Sequence, residues 1–333
     1  MTPPPPWALR DPYGTGETAM TETPMTATWR DGPVRVRVPA TSANLGPGFD
    51  SLGLALTLHD EVEVEVAPSG LSIEVTGEGA EVADRGENHL IVKVIRQAFD
   101  VLTTKYGGTL PQPGLRLRCV NRIPHSRGLG SSSAAIVAGL LAARALHPYG
   151  EGLDDGATLA LATEIEGHPD NVAPCLAGGL TIAWQDHAGP KSVTLDVDME
   201  VVVFVPDRRV ATERARGLLP DVVAHRDAAA NAGRAALLVA ALTGRTDLGV
   251  LLAATEDRLH QKYRAPAMPE SAELLARLRE KGIPAVISGA GPAVLAFTTA
   301  SQVDSTGPKV GNAWSKHSLN VDPLGAHVQL HRP

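Results

Sequence analysis

Alternation of apolar and polar residues predicts β-strands in the first part of the chain. Residues 34–38 have a period of two and end at Pro39, and residues 62–66 repeat the pattern. Residues 73–75 predict a third strand, and residues 115–123 predict a fourth. A period of two is typical of half-buried strands.

Helical patterns separate these strands and become longer toward the C-terminus. Helices are predicted over residues 88–106, 134–146, 157–166, 227–242, 247–260 and 271–281. The last of them has Ser271 as its N-cap and Gly282 as its stop. The apolar run 201–205 predicts a buried strand, and residues 285–287 and 293–297 predict a strand pair. The pattern as a whole predicts an α+β fold in two halves.

The same pattern predicts two domains with a tail at each end. Residues 1–32 are rich in Pro, Thr and Gly and show no period, so we expect a disordered tail. Residues 33–190 are expected to form the first domain, and residues 191–300 the second. Residues 301–333 are polar and are interpreted as a C-terminal tail.

Composition narrows the class of protein. The chain has 333 residues, of which 43% are apolar, enough for one large or two medium cores. Its net charge of -7 argues against a broad nucleic-acid surface. Two cysteines, Cys119 and Cys175, are too few for a disulfide scaffold and are expected to be buried. No apolar run is as long as a membrane span and the N-terminus lacks a signal-peptide core, so a cytoplasmic location is expected.

Residues 128–134, Gly-Leu-Gly-Ser-Ser-Ser-Ala, carry the clearest candidate chemistry. The glycines allow a tight turn and a close approach to a ligand, and the serines open a helix whose first N–H groups are free. Free amides, hydroxyls and the helix dipole together suit a polyphosphate. The structural alternative is a glycine turn with a serine N-cap. No lysine follows the last glycine, unlike the Walker pattern, so positive charge must come from elsewhere.

Two more glycine segments share the chain with this loop. They are residues 39–50 (Pro-Ala-Thr-Ser-Ala-Asn-Leu-Gly-Pro-Gly-Phe-Asp) and residues 288–293 (Ser-Gly-Ala-Gly-Pro-Ala). Together with residues 124–134, in this order and spacing, they closely resemble the GHMP family of small-molecule kinases. Residues 42–50 and 166–171 (Glu-Gly-His-Pro-Asp-Asn) are similar to the members of that family whose acceptor is homoserine.

The resemblance implies a fold and a reaction. We expect an α+β N-terminal half that carries the phosphate loop, a ferredoxin-like C-terminal half, and an active site in the cleft between them. The implied substrates are ATP and L-homoserine, with Mg²⁺ as the cofactor and O-phospho-L-homoserine, a precursor of threonine, as the product. Homodimers are common in the family, and neither a nucleic acid nor a membrane is expected as a partner.

The family's nucleotide and metal sites fall on residues around the phosphate loop. Nucleotide binding is expected at Pro124, His125, Ser126, Arg127, Gly128, Leu129, Gly130, Ser131, Ser132, Ser133 and Ala134. For His125 a packing or turn role is favoured. The resemblance gives Mg²⁺ two protein oxygens, from Ser132 and from a glutamate at the end of the next helix. Glu164 and Glu166 compete for that role, and Glu166 is preferred because it adjoins residues 167–171.

The acceptor site must hold a carboxylate, an ammonium group and an alcohol. Arg216 and Arg264 match the family's carboxylate ligands, and planar guanidinium groups suit a carboxylate. Asn44 and Asp50 are expected at the hydroxyl and ammonium ends, although Asp50 also suits a turn. Weaker or supporting positions are Thr212, His168 and Gly289.

More than one residue could act as the catalytic base. Asp170 and His168 both lie where the acceptor alcohol should arrive. Mevalonate-type members pair an aspartate with a lysine of the first motif, but this chain has no lysine there and has Asn171 where that aspartate is expected. We therefore expect catalysis mainly by transition-state stabilisation, with Asp170 orienting the acceptor. A kinase for another small alcohol and a non-catalytic member of the family are the alternatives.

Overall fold

A computed structural model of the chain describes residues 28–106, 108–244, 248–306 and 310–330. Its first half is built on a seven-stranded sheet whose main order is β11-β1-β2-β4-β3, with β5 on the other part of β2 and β6 beside β5. These strands are β1 Val34–Ala43, β2 Leu52–Ala67, β3 Leu71–Gly77, β4 Gly114–Asn121, β5 Leu180–Asp186, β6 Gly189–Leu195 and β11 His327–Leu330. All pairs are antiparallel except β3 with β4.

Four helices pack around this sheet and create the larger core. They are α1 Leu90–Lys105, α2 Ser131–Leu146, α3 Asp155–Glu166 and α4 Pro169–Ala177. Helix α2 contacts α1, α3, α4 and β1, so it is buried on nearly every side, as its alanine-rich sequence requires. Gly139 allows α1 to approach, because a Cβ there would lie 2.8 Å from Val94 Cγ1. The phosphate loop is thus attached to a rigid interior helix.

The second half has four antiparallel strands in the order β10-β7-β9-β8. The strands are β7 Glu200–Pro206, β8 Ala285–Ile287, β9 Val294–Ala296 and β10 Trp314–Asn320. The helices are α5 Thr212–Arg216, α6 His225–Thr243, α7 Leu248–Ala254, α8 Gln261–Arg264, α9 Pro269–Glu280 and α10 Ala300–Thr306. Numbered within this half, the strand order is 4-1-3-2 with helices between the first two and the last two strands, which is the ferredoxin-like arrangement. The predicted fold class is confirmed.

The domain boundaries differ from the prediction at both ends of the second half. Strand β6 extends to Leu195 and pairs with β5, so the first half continues beyond residue 190. The described part of the predicted C-terminal tail is not separate from the domains, because β10 pairs with β7 and β11 pairs with β1. Both strands lie at sheet edges, where polar side chains are tolerated, and this weakens the apolar signal in the sequence.

Trp29, near the start of the described residues, makes two ring contacts. Residues 1–27 of the predicted tail lie outside the described residues. Beyond them, the Trp29 ring lies 4.6 Å from the Phe99 ring and 4.9 Å from the His147 ring, measured between centroids. The last residues of the predicted tail therefore pack against α1.

The ends of some strands and helices also differ from those that the sequence pattern predicts. Strand β1 continues through Pro39 by a register shift between Pro39 and Ala40. Helix α9 begins at Pro269 rather than after Ser271, whose Oγ instead donates a 2.6 Å hydrogen bond to the carbonyl oxygen of Pro292. Helix α7 ends at Ala254, so residues 255–260 form an irregular segment that leads into α8.

Candidate active site

The three glycine segments meet at the junction of the two halves. Ser288 Oγ lies 2.8 Å from Ser42 Oγ in the first segment and donates to the carbonyl oxygen of Gly128 at 2.6 Å. The amide of Gly289 donates to the carbonyl oxygen of Ala43 at 3.0 Å. Residues far apart in the sequence thus form one cluster of loops.

The phosphate loop leaves its amides free. Gly128 and Gly130 have φ of +79° and +69°, which only glycine adopts without strain. The amide of Ala134 donates to the carbonyl oxygen of Gly130, whereas the amides of residues 131–133 donate to no acceptor among the described residues. Three unpaired N–H groups at the positive end of a 16-residue helix form a site for an anion.

Gly128 also permits the contact between the loops, which gives a stability prediction. A Cβ at Gly128 would lie 2.2 Å from the carbonyl oxygen of Ser288, whereas a Cβ at Gly70, also at positive φ, meets no atom within 4 Å. We expect Gly70→Ala to cost about 1 kcal/mol for the backbone conformation alone. We expect Gly128→Ala to cost about 3 kcal/mol, because a backbone clash adds to that strain. Urea unfolding of the two variants measures the difference, and equal losses would contradict it.

Glu166 lies against the phosphate loop. Ser132 Oγ donates to Glu166 Oε2 at 2.9 Å, and Ser133 Oγ donates to Oε1 at 2.8 Å. Helix α3 ends immediately after Glu166 because Gly167 adopts φ +96°. Glu164 is exposed and has no hydrogen bond or ion pair with any described residue. The structure therefore brings together Ser132 and Glu166, the pair that the sequence reasoning preferred.

A cavity of about 290 Å³ adjoins the loop on the side of α1. Its apolar walls are Val38, Val62, Leu90 and Ile91, and its polar lining includes Asp60, His125, Ser131 and Ser132. Asp60 Oδ1 accepts hydrogen bonds from the amides of Arg122 at 2.5 Å and Ile123 at 2.8 Å. Burial nevertheless raises the pKa of Asp60 to about 6. The sequence alone does not predict this cavity, because its lining comes from several separate segments.

The remaining residues predicted to bind the nucleotide have other positions. Pro124, Leu129 and Ala134 are buried, and the first two line neither of the cavities beside the loop. Arg127 Nε donates to the carbonyl oxygen of Pro206 at 2.8 Å, and its Nη2 donates to that of Asp207 at 3.0 Å. Arg127 thus joins the two halves, and its role toward the nucleotide stays a prediction.

A second cavity, of about 140 Å³, lies on the other side of the loop, between the two halves. Predicted site residues make up most of its lining: Asn44, Ser126, Gly128, Gly130, Ser131, Ser132, Glu166, His168, Asp170, Asn171, Thr212, Arg216, Arg264 and Gly289. The free end of helix α2 and both arginines therefore face one space. Asp50 does not line this cavity, but it is hydrogen-bonded to Arg216, which does.

Arg264 is a buried cation for which the described residues provide no counter-ion. Its residue is only 1% exposed, and its side chain makes no ion pair within the described parts of the chain. Nη1 lies 3.3 Å from the carbonyl oxygen of Gly289 and 3.2 Å from His260 Nδ1, whereas Nε has no hydrogen-bond partner. Burial lowers the pKa of Arg264, and the nearby Arg216 adds to the effect. An unpaired buried guanidinium is costly, so this geometry favours an anionic ligand.

Arg216 is paired with Asp50. Two parallel hydrogen bonds of 2.9 and 3.1 Å join the guanidinium to the carboxylate, and this pairing raises the pKa of Arg216. The Phe49 ring lies beneath both guanidinium groups, 5.9 Å from Arg216 Cζ and 5.3 Å from Arg264 Cζ. Neither Phe49 nor the pairing of Asp50 with Arg216 was expected from the sequence.

Asn44 supports the site through its side-chain amide. Asn44 has φ +68° and Asp50 has φ +54°, so the first segment turns sharply at both residues. Asn44 Oδ1 accepts from the amide of Asp50 at 2.9 Å, and Nδ2 donates to the carbonyl oxygen of Gly289 at 2.9 Å. These bonds hold the first segment against the third. Asp50 therefore has both roles considered from the sequence: it lies in a turn, and its carboxylate lies near the cavity.

The start of helix α4 presents the candidate catalytic groups. His168 Nδ1 lies 2.6 Å from Asp170 Oδ1, and Asp170 is 1% exposed. The Asp170 carboxylate raises the pKa of His168 above its ordinary value. Asn171 Oδ1 accepts a 2.8 Å hydrogen bond from Thr41 Oγ1, which fixes the amide beside Gly130. Thr212, at the start of α5, is exposed and lines the opposite wall.

The free start of helix α2 can bind an anion, and it faces the same cavity as Arg216 and Arg264, between two α+β halves. This arrangement is that of a small-molecule phosphotransferase. Within the described ranges, no group of three or more His, Cys, Asp or Glu side chains is arranged to hold a metal by itself. Within the same ranges, no helix combines the length and the apolar character needed to cross a bilayer.

Comparison with known proteins identifies the family. Residues 89–179 match the GHMP kinase N-terminal domain, and residues 228–317 match the GHMP kinase C-terminal domain. The homoserine kinase of Streptomyces avermitilis is 59% identical over 304 residues, covering 90% of this chain and 97% of that protein. The homoserine kinase of Mycobacterium tuberculosis is 45% identical, covering 83% of this chain and 87% of that protein. The crystal structure of homoserine kinase from Cytophaga hutchinsonii, 25% identical, superposes with a TM-score of 0.72 over 89% of this chain and 97% of that one.

The chain therefore belongs to the GHMP kinase family, and within it to the homoserine kinases. Membership of a kinase family implies that ATP is the phosphoryl donor.

Proposed function

We propose that this protein transfers the γ-phosphoryl group of ATP to the side-chain hydroxyl of L-homoserine. The observation that supports this most directly is the position of Arg264, a buried guanidinium without a carboxylate partner among the described residues. It faces the same cavity of about 140 Å³ as the free amides of residues 131–133. The product, O-phospho-L-homoserine, would be a precursor of threonine. A cytoplasmic location of the protein stays a prediction.

ATP would occupy both cavities beside the loop. The unpaired amides at the start of α2 suit its phosphates, because they offer hydrogen bonds and the positive end of a helix dipole. The cavity of about 290 Å³ suits the nucleoside, since it adjoins the same serines and has apolar walls such as Val62 and Ile91. The γ-phosphoryl group would then point toward the arginine-lined cavity.

The residues fit a magnesium ion shared with the triphosphate. Ser132 and Glu166 supply one hydroxyl and one carboxylate, 2.9 Å apart, at the free end of α2. Mg²⁺ prefers one or two protein oxygens of this kind, with phosphates and water completing its shell. When bound, the ion would neutralise charge on the phosphates.

The charges around the cleft match a zwitterion. Arg216 and Arg264 carry two positive charges, and Asp50 and Asp170 can carry two negative ones. The acceptor's carboxylate would bind the guanidinium groups, and its ammonium group would approach Asp50, which is partly exposed. The hydroxyl would then lie toward His168 and Asp170 beside the loop. Transfer would depend mainly on this alignment and on charge neutralisation.

The role of Asp170 is tested by Asp170→Asn. We expect kcat to fall by less than about tenfold, because Asp170 orients the acceptor and the proton leaves late to phosphate or water. Loss of the carboxylate beside His168 should also lower the pKa of His168 toward its ordinary value, which NMR titration of the imidazole measures. A fall in kcat of about three orders of magnitude would instead identify Asp170 as the general base.

The proposed reaction is tested by ADP release with homoserine, mevalonate, galactose and shikimate as acceptors. We expect stimulation by homoserine and by none of the others, because only homoserine carries both the carboxylate and the ammonium group that the cleft matches. Stimulation by another alcohol would identify a different GHMP kinase. No stimulation by any acceptor would favour a non-catalytic binding protein. Gel filtration of the same preparation tests the homodimer that the resemblance implies.

A further inference from the structure

His260 connects the first glycine segment to Arg264. It is fully buried, and its Nε2 lies 2.9 Å from the carbonyl oxygen of Gly46. A carbonyl oxygen only accepts hydrogen bonds, so Nε2 carries the proton. Nδ1 lies 3.2 Å from Arg264 Nη1, and a guanidinium only donates, so Nδ1 is the acceptor. The two neighbours together select the neutral tautomer with hydrogen on Nε2.

The surroundings hold the imidazole rigidly. The Phe49 ring stacks on it, with centroids 5.1 Å apart and planes 25° apart. Asp257 accepts hydrogen bonds from the amides of Leu259, His260 and Gln261, at 2.9, 3.1 and 2.7 Å. The irregular segment before α8 is thereby fixed, and with it the ring. Within the described residues, the Arg264 guanidinium has only one other hydrogen-bond acceptor, the carbonyl oxygen of Gly289.

We propose that His260 is a positioning residue for the acceptor: its neutral imidazole holds Arg264 at the angle at which the guanidinium meets the acceptor's carboxylate. Without an acceptor at Nδ1, the long Arg264 side chain would regain rotamer freedom that binding must then remove. The proposal deepens the proposed function and depends on it for the identity of the acceptor. His260 itself does not line the cavity and touches no reacting atom.

The same geometry gives a dependence on pH. Protonation would place an N–H at Nδ1, directed at the Arg264 guanidinium, and two donors would then face each other. Burial lowers the pKa of His260, and the charged groups around it are Asp257 on its own segment, Arg264 on α8 and Asp50 from the first segment. Because the neutral form is the competent one, homoserine binding is retained at neutral pH. It weakens as the pH falls through this lowered pKa, below the ordinary value of 6.5.

Two substitutions of His260 each remove one of the two hydrogen bonds of its imidazole ring. His260→Asn keeps an acceptor near Nδ1 and loses the bond to Gly46, whereas His260→Gln keeps a donor near Nε2 and loses the acceptor for Arg264. We expect His260→Gln to raise KM for homoserine about tenfold, with kcat and KM for ATP changed by less than about twofold. We expect His260→Asn to raise KM for homoserine by less than about threefold. Urea unfolding should give similar losses of stability, since each variant loses one buried hydrogen bond.

Three results would overturn the proposal. One is an equal rise in KM for homoserine in both variants, and another is an equal rise in KM for ATP, because packing alone would explain either. A third is additivity with Arg264→Met, since a residue that acts through Arg264 has no further effect once Arg264 is removed.

A separate measurement distinguishes this proposal from the proposed function. Absence of homoserine-dependent ADP release by the wild-type protein would refute the function. The tautomer is then read by ¹⁵N NMR of His260 at neutral pH. Hydrogen on Nε2 with an unprotonated Nδ1 supports the proposal that His260 accepts a hydrogen bond from Arg264. Hydrogen on Nδ1 overturns it.

Discussion

Replacement of Glu166 by glutamine is expected to lower kcat by about 10²- to 10³-fold, because the change removes a carboxylate that accepts hydrogen bonds from Ser132 and Ser133 of the phosphate loop. Glutamine keeps the size of the side chain, its one oxygen can accept from one of the two serine hydroxyls, and its NH2 group can donate to the other, so the fold and the loop should persist. What is lost is the negative charge that attracts a divalent cation. The concentration of Mg²⁺ that gives half-maximal rate should therefore rise together with the fall in kcat.

Glu164→Gln is the matched control for this prediction. Glu164 lies on the same helix, two residues earlier, and is exposed. We expect its variant to keep kcat and the Mg²⁺ dependence within about twofold of the wild type. ADP-release rates measured over a Mg²⁺ series compare the two variants. A loss in Glu164→Gln equal to that in Glu166→Gln would remove Glu166 from the metal site and would reopen the choice between the two glutamates.

The phosphate loop illustrates what a single sequence contains. Glycines followed by serines at the start of an alanine-rich helix already predict a free helix end, because that conclusion needs only local chemistry. The choice of Glu166 over Glu164 had another basis: the resemblance implies a glutamate at the end of the next helix, and Glu166 adjoins residues 167–171. Local chemistry thus predicts the free helix end, whereas the glutamate beside it was expected only from the resemblance.

The residues that were missed depend on packing between distant segments. Phe49 matters because α5 and α8 each bring a guanidinium over its ring, and no spacing in the sequence encodes that meeting. The nucleoside-sized cavity likewise combines β1, β2, α1 and α2. Edge strands β10 and β11 were missed for another reason: a polar edge strand obtains its place from backbone pairing, which leaves little trace in the side chains.

Arg216 shows how an expected role and an unexpected partner combine. The resemblance predicts a role for it at the acceptor's carboxylate, and the structure pairs it with Asp50, the residue expected at the ammonium group. A zwitterion can satisfy both at once, because its carboxylate replaces Asp50 as the partner of the guanidinium while its ammonium group pairs with Asp50. If the proposed function holds, the Arg216–Asp50 pair would keep both charges compensated until the acceptor binds.

Arg216→Met should raise KM for homoserine by about 10²-fold, while KM for ATP changes by less than about twofold. The magnitude follows from losing a charge-assisted pair with the acceptor's carboxylate, about 3 kcal/mol. Stability should change by less than about 1 kcal/mol, because the Arg216 and Asp50 side chains are 40% and 36% exposed and the pair is well solvated. Arg214→Met is the matched control, since Arg214 is exposed on the same short helix and makes no ion pair with a described residue.

An amino alcohol without the carboxylate makes the test specific. The wild-type protein should prefer homoserine over this analogue by a large ratio of kcat/KM, and Arg216→Met should reduce that ratio by about the factor by which it raises KM. The reasoning is that a contact made only to the carboxylate cannot matter for an acceptor that has none. If the variant lost activity equally toward both acceptors, Arg216 would be acting on the phosphates or on the fold. The acceptor's carboxylate would then have to be assigned to Arg264 alone.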